Sequence, residues 1–171
     1  MLLVIDLGNT NLTFGVYDGD RLEHTFRAET QLSRTADEYG VLLPGTEDLA
    51  KNALLLEEFL AREPGKLKFK EMKQEVLLHG HCHQKAFDAM PAVEKVLRMV
   101  PGLSIETVQT SCCGMAGSFG YEAEHYDVSM KMAELSLLPA VRKAPRALVV
   151  ADGTSCRHQI ADGARREAWH V

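Results

Sequence analysis

Three short apolar runs, each ending in a glycine-flanked loop that carries cysteine, constrain this chain more than any other feature of its sequence. Glu75-Val-Leu-Leu-His79 leads to Cys82, Ser104–Gln109 delivers Cys112-Cys113, and Ala147–Ala151 runs through Gly153 to Cys156. Between them lie helical stretches. Pro91–Met99 is stopped by Pro101-Gly102, and Glu122–Val141 spaces Tyr126, Met130, Ala133 and Leu137 for one face of a long helix. Strands alternating with helices predict a parallel or mixed sheet with crossover helices. In open sheets of that kind, ligand sites gather outside the carboxyl ends of the strands, so cysteines far apart in sequence are expected to converge.

The first forty residues read differently. Met1–Ile5 is expected to be a buried strand, Leu7–Asn11 a polar turn, Leu12–Tyr17 a second strand and Arg21–Ala28 a third, with Asp18-Gly19-Asp20 as a hairpin turn. Ser33–Tyr39 has the composition of a helix start. The character changes near Leu43-Pro44-Gly45, after which Thr46 can cap a helix to about Arg62, with Leu49, Ala53, Leu56, Phe59 and Leu60 on one face. The expected fold class is α/β: an amino-terminal antiparallel β-meander, then a small parallel or mixed sheet with crossover helices. The expected division is residues 1–43 and 44–171.

Composition excludes several classes. A net charge of −5 with no basic block argues against nucleic acid as a partner. Apolar runs as short as Met1–Ile5 cannot span a bilayer, and with no basic residues before them they are not read as a signal peptide. The expected compartment is the cytoplasm, where thiols stay reduced and four cysteines point to metal or redox chemistry before disulfides.

The ligand candidates are Cys82, Cys112, Cys113 and Cys156. Glycines at 80, 114, 117 and 153 let backbone approach a bound group closely. Histidines 81, 83 and 158 are placed to contact such a group or to orient its ligands, and Lys85 and Arg157 to offset its negative charge. Zinc competes, because it takes tetrahedral Cys/His sites. The adjacent Cys112-Cys113 pair is awkward for one zinc ion but can serve different irons of a larger cluster, and a disulfide between neighbours is strained. The methionines at 130 and 132 and Trp169 are read as packing residues.

His79-Gly-His-Cys82-His-Gln-Lys-Ala86, Ser111-Cys-Cys-Gly-Met-Ala-Gly-Ser-Phe-Gly-Tyr121 and Gly153-Thr-Ser-Cys-Arg-His-Gln-Ile160 resemble the closing CCG cysteine-rich domain of FAD-linked oxidases. These are enzymes of the glycolate, D-lactate and 2-hydroxyglutarate dehydrogenase type; heterodisulfide reductases and lactate-utilisation proteins carry similar domains. The resemblance runs from about Leu42 to Val171. It implies a four-iron (4Fe-4S) iron–sulfur cluster on Cys82, Cys112, Cys113 and Cys156, relaying electrons from reduced FAD. The flavin is expected on another domain or chain, a flavin-containing dehydrogenase partner. The oxidases also carry a Pro-Ser-Cys segment before an Asp-Glu-Tyr stretch, whereas this chain has no cysteine before Cys82.

Leu3-Val-Ile-Asp6-Leu-Gly8-Asn9-Thr10-Asn11, Phe14-Gly-Val-Tyr-Asp-Gly19 and Ser33-Arg-Thr-Ala-Asp-Glu-Tyr39 resemble the start of type III pantothenate kinase. A tight Gly-Asn-Thr turn offers N–H donors to phosphate, and a carboxylate at a strand end can hold magnesium through water. The resemblance implies ATP and magnesium contacts at Asp6, Gly8, Asn9, Thr10 and Asn11. The two resemblances meet at Asp37-Glu38-Tyr39, which suggests a hybrid chain. The leading expectation is an iron–sulfur electron-transfer module of an oxidoreductase. The alternatives are a pantothenate kinase acting in coenzyme A biosynthesis, or an inert folded hybrid.

Overall fold

The computed structural model describes residues 2–7, 11–29 and 54–171. Contacts divide the chain into two compact units, Met1–Ala53 and Leu54–Val171.

In the first unit, β1 (Leu2–Leu7), β2 (Asn11–Asp18) and β3 (Arg21–Glu29) form an antiparallel meander in the order β1-β2-β3. Gly19, at φ 58°, turns the second hairpin where an L side chain would be strained. Phe14 and Phe26 face each other across β2 and β3 and stack with centroids 4.6 Å apart. Met1–Ile5 is not a buried strand: Leu2, Val4 and Ile5 are exposed, and so is Leu3. A three-stranded sheet has no second layer of its own to cover a face. The helix start read at Ser33–Tyr39, the boundary near Leu43 and the first part of the helix read from Thr46 lie outside the described residues.

The second unit opens with α1 (Leu56–Arg62). There follow β4 (Gln74–His79), α2 (Cys82–Ala86), α3 (Met90–Arg98) and β5 (Leu103–Thr107). Two short 3-10 turns, at Phe119–Tyr121 and Ala123–His125, precede α4 (Tyr126–Glu134) and α5 (Leu137–Lys143). The chain closes with β6 (Leu148–Ala151), α6 (Thr154–Ala164) and β7 (Ala168–Trp169).

All neighbours in the four-stranded sheet are parallel, in the order β5-β4-β6-β7. Counted from β4 this is 2-1-3-4, a doubly wound order whose direction reverses between β4 and β6. Both central strands are apolar on both faces, as parallel strands covered by helices must be. Val76, Leu78 and Val150 pack under Val93 and Leu97 of α3. Leu77, Val149 and Ala151 face the other way, onto Leu137 and Val141 of α5 and Cys156 and Ile160 of α6. The four-residue spacing in each of these two helices places both residues of a pair on one side. β5, at the edge, alternates half-buried and exposed residues.

Three expectations change here. The long helix read over Glu122–Val141 is broken at Leu135 and Ser136, and its buried line is Ser129, Ala133 and Leu137 while Tyr126 is exposed. α1 buries Glu57 and Ala61, leaving Leu56 and Phe59 exposed, so its inward face is not the apolar stripe read from spacing. Trp169 is half exposed on a two-residue edge strand and anchors no core. Among the described residues no helix is long and apolar enough to cross a membrane.

Candidate metal centre

Each cysteine lies just beyond the carboxyl end of a parallel strand. β4 ends at His79, and Cys82 opens α2; β5 ends at Thr107, and Cys112-Cys113 follow; β6 ends at Ala151, and Cys156 sits in the first turn of α6. Because β4 pairs with both β5 and β6, these three loops share one edge of the sheet. The loops after β4 and β6 flank the point where the strand order reverses.

The four thiols meet there as two hydrogen-bonded pairs, Cys113 with Cys156 and Cys82 with Cys112. All four are free; Cys113 and Cys156 are buried and the other two half-buried. The buried pair shares one proton. The hydrogen bond from Cys156 pulls the Cys113 thiol well below the usual range, against the opposing effect of burial, and hydrogen bonds from His79 and the Met115 backbone act in the same direction. Cys156 is pushed up, first by that same hydrogen bond and then by burial. Burial raises Cys82, and its bond to Cys112 adds to the rise. Charge on Cys82 and Cys112 is felt at Cys156, so the pairs form one electrostatic group. A thiol that already ionises easily is a ready metal ligand.

The backbone is shaped to this group. The Gly114 N–H donates to Cys112 Sγ at 3.3 Å, and the Cys82 thiol donates to the Ser111 carbonyl at 3.9 Å. A Cβ on Gly153 would stand 2.9 Å from Cys156 Sγ and 2.3 Å from the His81 ring, so a side chain there has no room. Lys85 Nζ donates to Thr110 O, Thr110 Oγ1 and Ser111 O at 2.7, 2.8 and 3.2 Å. Burial lowers the ammonium's pKa and the cysteines' charge opposes that shift. Arg157 instead ties the carbonyls of Ala151 and Asp152 at 2.8 and 2.6 Å, holding the β6–α6 turn.

His79 is the histidine that the sheet delivers to the sulfurs. It is 1% exposed, and one of its ring nitrogens lies within 4.8 Å of Sγ of both Cys113 and Cys156, which are equally close to each other. Nδ1 is hydrogen-bonded to Thr110 Oγ1 at 3.0 Å, while Nε2 is buried with no oxygen or nitrogen partner. A buried polar atom without a partner is costly, and it fits a group whose remaining neighbour is sulfur or metal. The donor set, four thiols with one imidazole, is that of zinc or an iron–sulfur centre. The residues present therefore fit either group.

The histidines favoured from sequence stand elsewhere. His158 pairs with Tyr121 Oη at 2.7 Å on the surface. His81 caps α2, accepting from the His83 N–H at 3.4 Å, and burial lowers its pKa, with His83 adding to the effect. His81 and His83 line a cavity of about 670 Å³ on the other side of the β6–α6 turn, together with Glu57, Phe87, Asp152 and His170. Glu57, Asp152 and His170 bring ligand atoms within 4.8 Å of one another there. Asp152 already accepts from Gln84 Nε2 at 2.5 Å and from the Val171 N–H at 3.0 Å, which secures the chain end. A strand signal for His79 did exist: it is two residues beyond Leu77 and so shares the cysteine-bearing face.

Of the amino-terminal candidates, Asp6 is exposed near the end of β1, opposite Thr13, and Asn11 opens β2. Gly8, Asn9 and Thr10 lie outside the described residues, so the phosphate turn has no described geometry.

Comparisons with known proteins divide the chain as its contacts do, between two kinds of relative. Residues 2–58 match the family model of type III pantothenate kinase. A type III pantothenate kinase of Agathobacter rectalis is 58% identical over 43 residues, 25% of this chain and 16% of the relative. A D-2-hydroxyglutarate dehydrogenase of Escherichia coli K12 is 35% identical over 126 residues, 72% of this chain and 12% of the relative; one from Pantoea ananatis is 33% identical over 84 residues, 48% and 8%. The chain thus spans a small part of each relative it matches. No solved structure matches it. The chain is similar, in different parts, to D-2-hydroxyglutarate dehydrogenase and to the start of type III pantothenate kinase.

Proposed function

We propose that residues 44–171 are a CCG cysteine-rich iron–sulfur domain that relays electrons from a reduced flavin on another domain or chain, within an FAD-linked dehydrogenase of 2-hydroxy acids. Its flavin partner lies on the greater part of such an enzyme, and residues 1–43 are a separate fragment of kinase type. The observation that carries the reading is the convergence of Cys82, Cys112, Cys113 and Cys156 from three loops onto one sheet edge.

Those four thiolates would hold a four-iron cluster, which supplies one-electron transfer when bound. The rest is the work of the chain. The adjacent Cys112 and Cys113 face different partners, Cys82 and Cys156, a division suited to separate metal atoms and unsuited to one tetrahedral zinc. Backbone N–H groups such as that of Gly114 supply donors to sulfur, and Lys85 offsets thiolate charge. Four free thiols suit a reducing, cytoplasmic setting.

Anaerobic reconstitution with iron and sulfide tests this. About four irons and four sulfides per chain, with a paramagnetic reduced state, are expected for a four-iron cluster. Recovery of one zinc and no sulfide would replace the reading with a structural metal site.

The match of residues 2–58 favours a second reading for the amino-terminal part, ATP binding with magnesium held by Asp6. On the main reading, magnesium and ATP leave the thermal midpoint unchanged. A rise that Asp6→Ala removes would favour the kinase reading, and failure of both iron and ATP would leave an inert hybrid.

A further inference from the structure

We propose that His79 is the positioning residue of the metal centre, its Nε2–H donating a hydrogen bond to the sulfur of Cys113 and so favouring the more negatively charged, reduced state of whatever cluster that sulfur holds. The second half of this statement rests on the iron–sulfur reading; the hydrogen bond itself does not.

The protonation of the ring follows from counting donors. Lys85 is an ammonium with three N–H bonds, and it has three acceptors: Thr110 O, Thr110 Oγ1 and Ser111 O. Thr110 Oγ1 therefore accepts from Lys85, and its own hydrogen is free for its other neighbour, His79 Nδ1, at 3.0 Å. Nδ1 then accepts, and a neutral ring must carry its proton on Nε2. That N–H is buried, and no oxygen or nitrogen receives it. The sulfurs of Cys113 and Cys156 are within 4.8 Å of the ring, and Cys156 is the donor within its own pair, which leaves Cys113 as the acceptor. The position is rigid: His79 is the last residue of the central strand β4, in register with Ala151 of β6. The line Lys85–Thr110–His79–Cys113 thus ties two loops and a strand to one sulfur.

A hydrogen bond to a cluster thiolate withdraws negative charge from it, which stabilises the reduced state and raises the reduction potential. A histidine that ligated the metal through Nε2 would need its proton on Nδ1, the opposite tautomer.

Two measurements decide. In metal-free, 15N-labelled protein, long-range 1H–15N correlation of the imidazoles, with His79 assigned by its absence from His79→Gln, should show the Nε2–H tautomer. An Nδ1–H tautomer overturns the proposal whether or not iron binds. In reconstituted protein, EPR-monitored redox titration should place His79→Gln near the wild type, because its amide N–H can reach the place of Nε2–H. His79→Met should titrate at a lower potential with unchanged iron content. Equal potentials in wild type and His79→Met, or loss of iron from both variants, would overturn it. A wild-type chain that takes up no iron removes the iron–sulfur reading, and the tautomer alone then decides the hydrogen bond.

Discussion

Serine in place of Cys156 should reduce iron and sulfide recovered after reconstitution by about tenfold or more, since removing even a group that merely orients a ligand costs roughly 10–100-fold in metal affinity. Cys156 has no exposed surface, sits in the first turn of α6 and shares a proton with Cys113. It is the thiol on the β6 side of the point where strand order reverses, and the described residues offer no other sulfur on that loop. A hydroxyl is smaller and keeps a hydrogen bond to Cys113, so the fold should persist, with far-UV circular dichroism unchanged. Full iron content in Cys156→Ser would remove Cys156 from the ligand set. The half-buried Cys82 provides the comparison. Cys82→Ser should also lose iron, because the reading needs thiolates from the β4, β5 and β6 loops together.

The second large effect is on stability. Gly114→Ala should destabilise the second unit by about 3 kcal/mol or more, from backbone strain together with overpacking. Gly114 has φ 96°, a conformation that alanine adopts only at a cost, and an added Cβ would stand 2.2 Å from the Ser129 carbonyl oxygen. That oxygen belongs to α4 and receives a hydrogen bond from Gln159 Nε2 at 3.0 Å, which also reaches Ser129 Oγ at 2.9 Å. Both Ser129 and Gln159 are buried, so the methyl group would push apart the contact that joins α4 to α6 under the Cys112-Cys113 loop. A thermal midpoint lower by roughly 10 °C or more is expected for a unit of this size. Gly117→Ala separates the two causes. Gly117 has φ 70° but nothing within 4 Å of its added Cβ, so only the conformational cost, about 1 kcal/mol, should appear. If the two variants melt together, packing against Ser129 contributes nothing.

The cysteine site was legible because its parts obey local rules. Glu75–His79, Ser104–Gln109 and Ala147–Ala151 are short apolar runs ending at glycine or cysteine, and the structure has β4, β5 and β6 there, within two residues at either end. What escaped was set by contacts between distant residues. The apolar spacing of Leu56 and Phe59 promised an inward stripe, yet the helix turns Glu57 and Ala61 inward. Helical periodicity ran unbroken through Leu135 and Ser136, where two helices meet. Histidines 81, 83 and 158 stand beside cysteine in sequence, but residues adjacent on a helix point apart, whereas His79 reaches Cys113 and Cys156 across the sheet.

By itself the sequence determined the α/β class, the positions of the three cysteine-bearing loops and the two family resemblances, because strand periodicity, glycine placement and motif order are properties of neighbouring residues. Only the tertiary structure decided the strand order β5-β4-β6-β7, the pairing of Cys113 with Cys156 and of Cys82 with Cys112, and the place of His79 among them. Those depend on which segments lie side by side once both faces of the sheet are covered, and burial of the whole surface sets that, not any local stretch of chain.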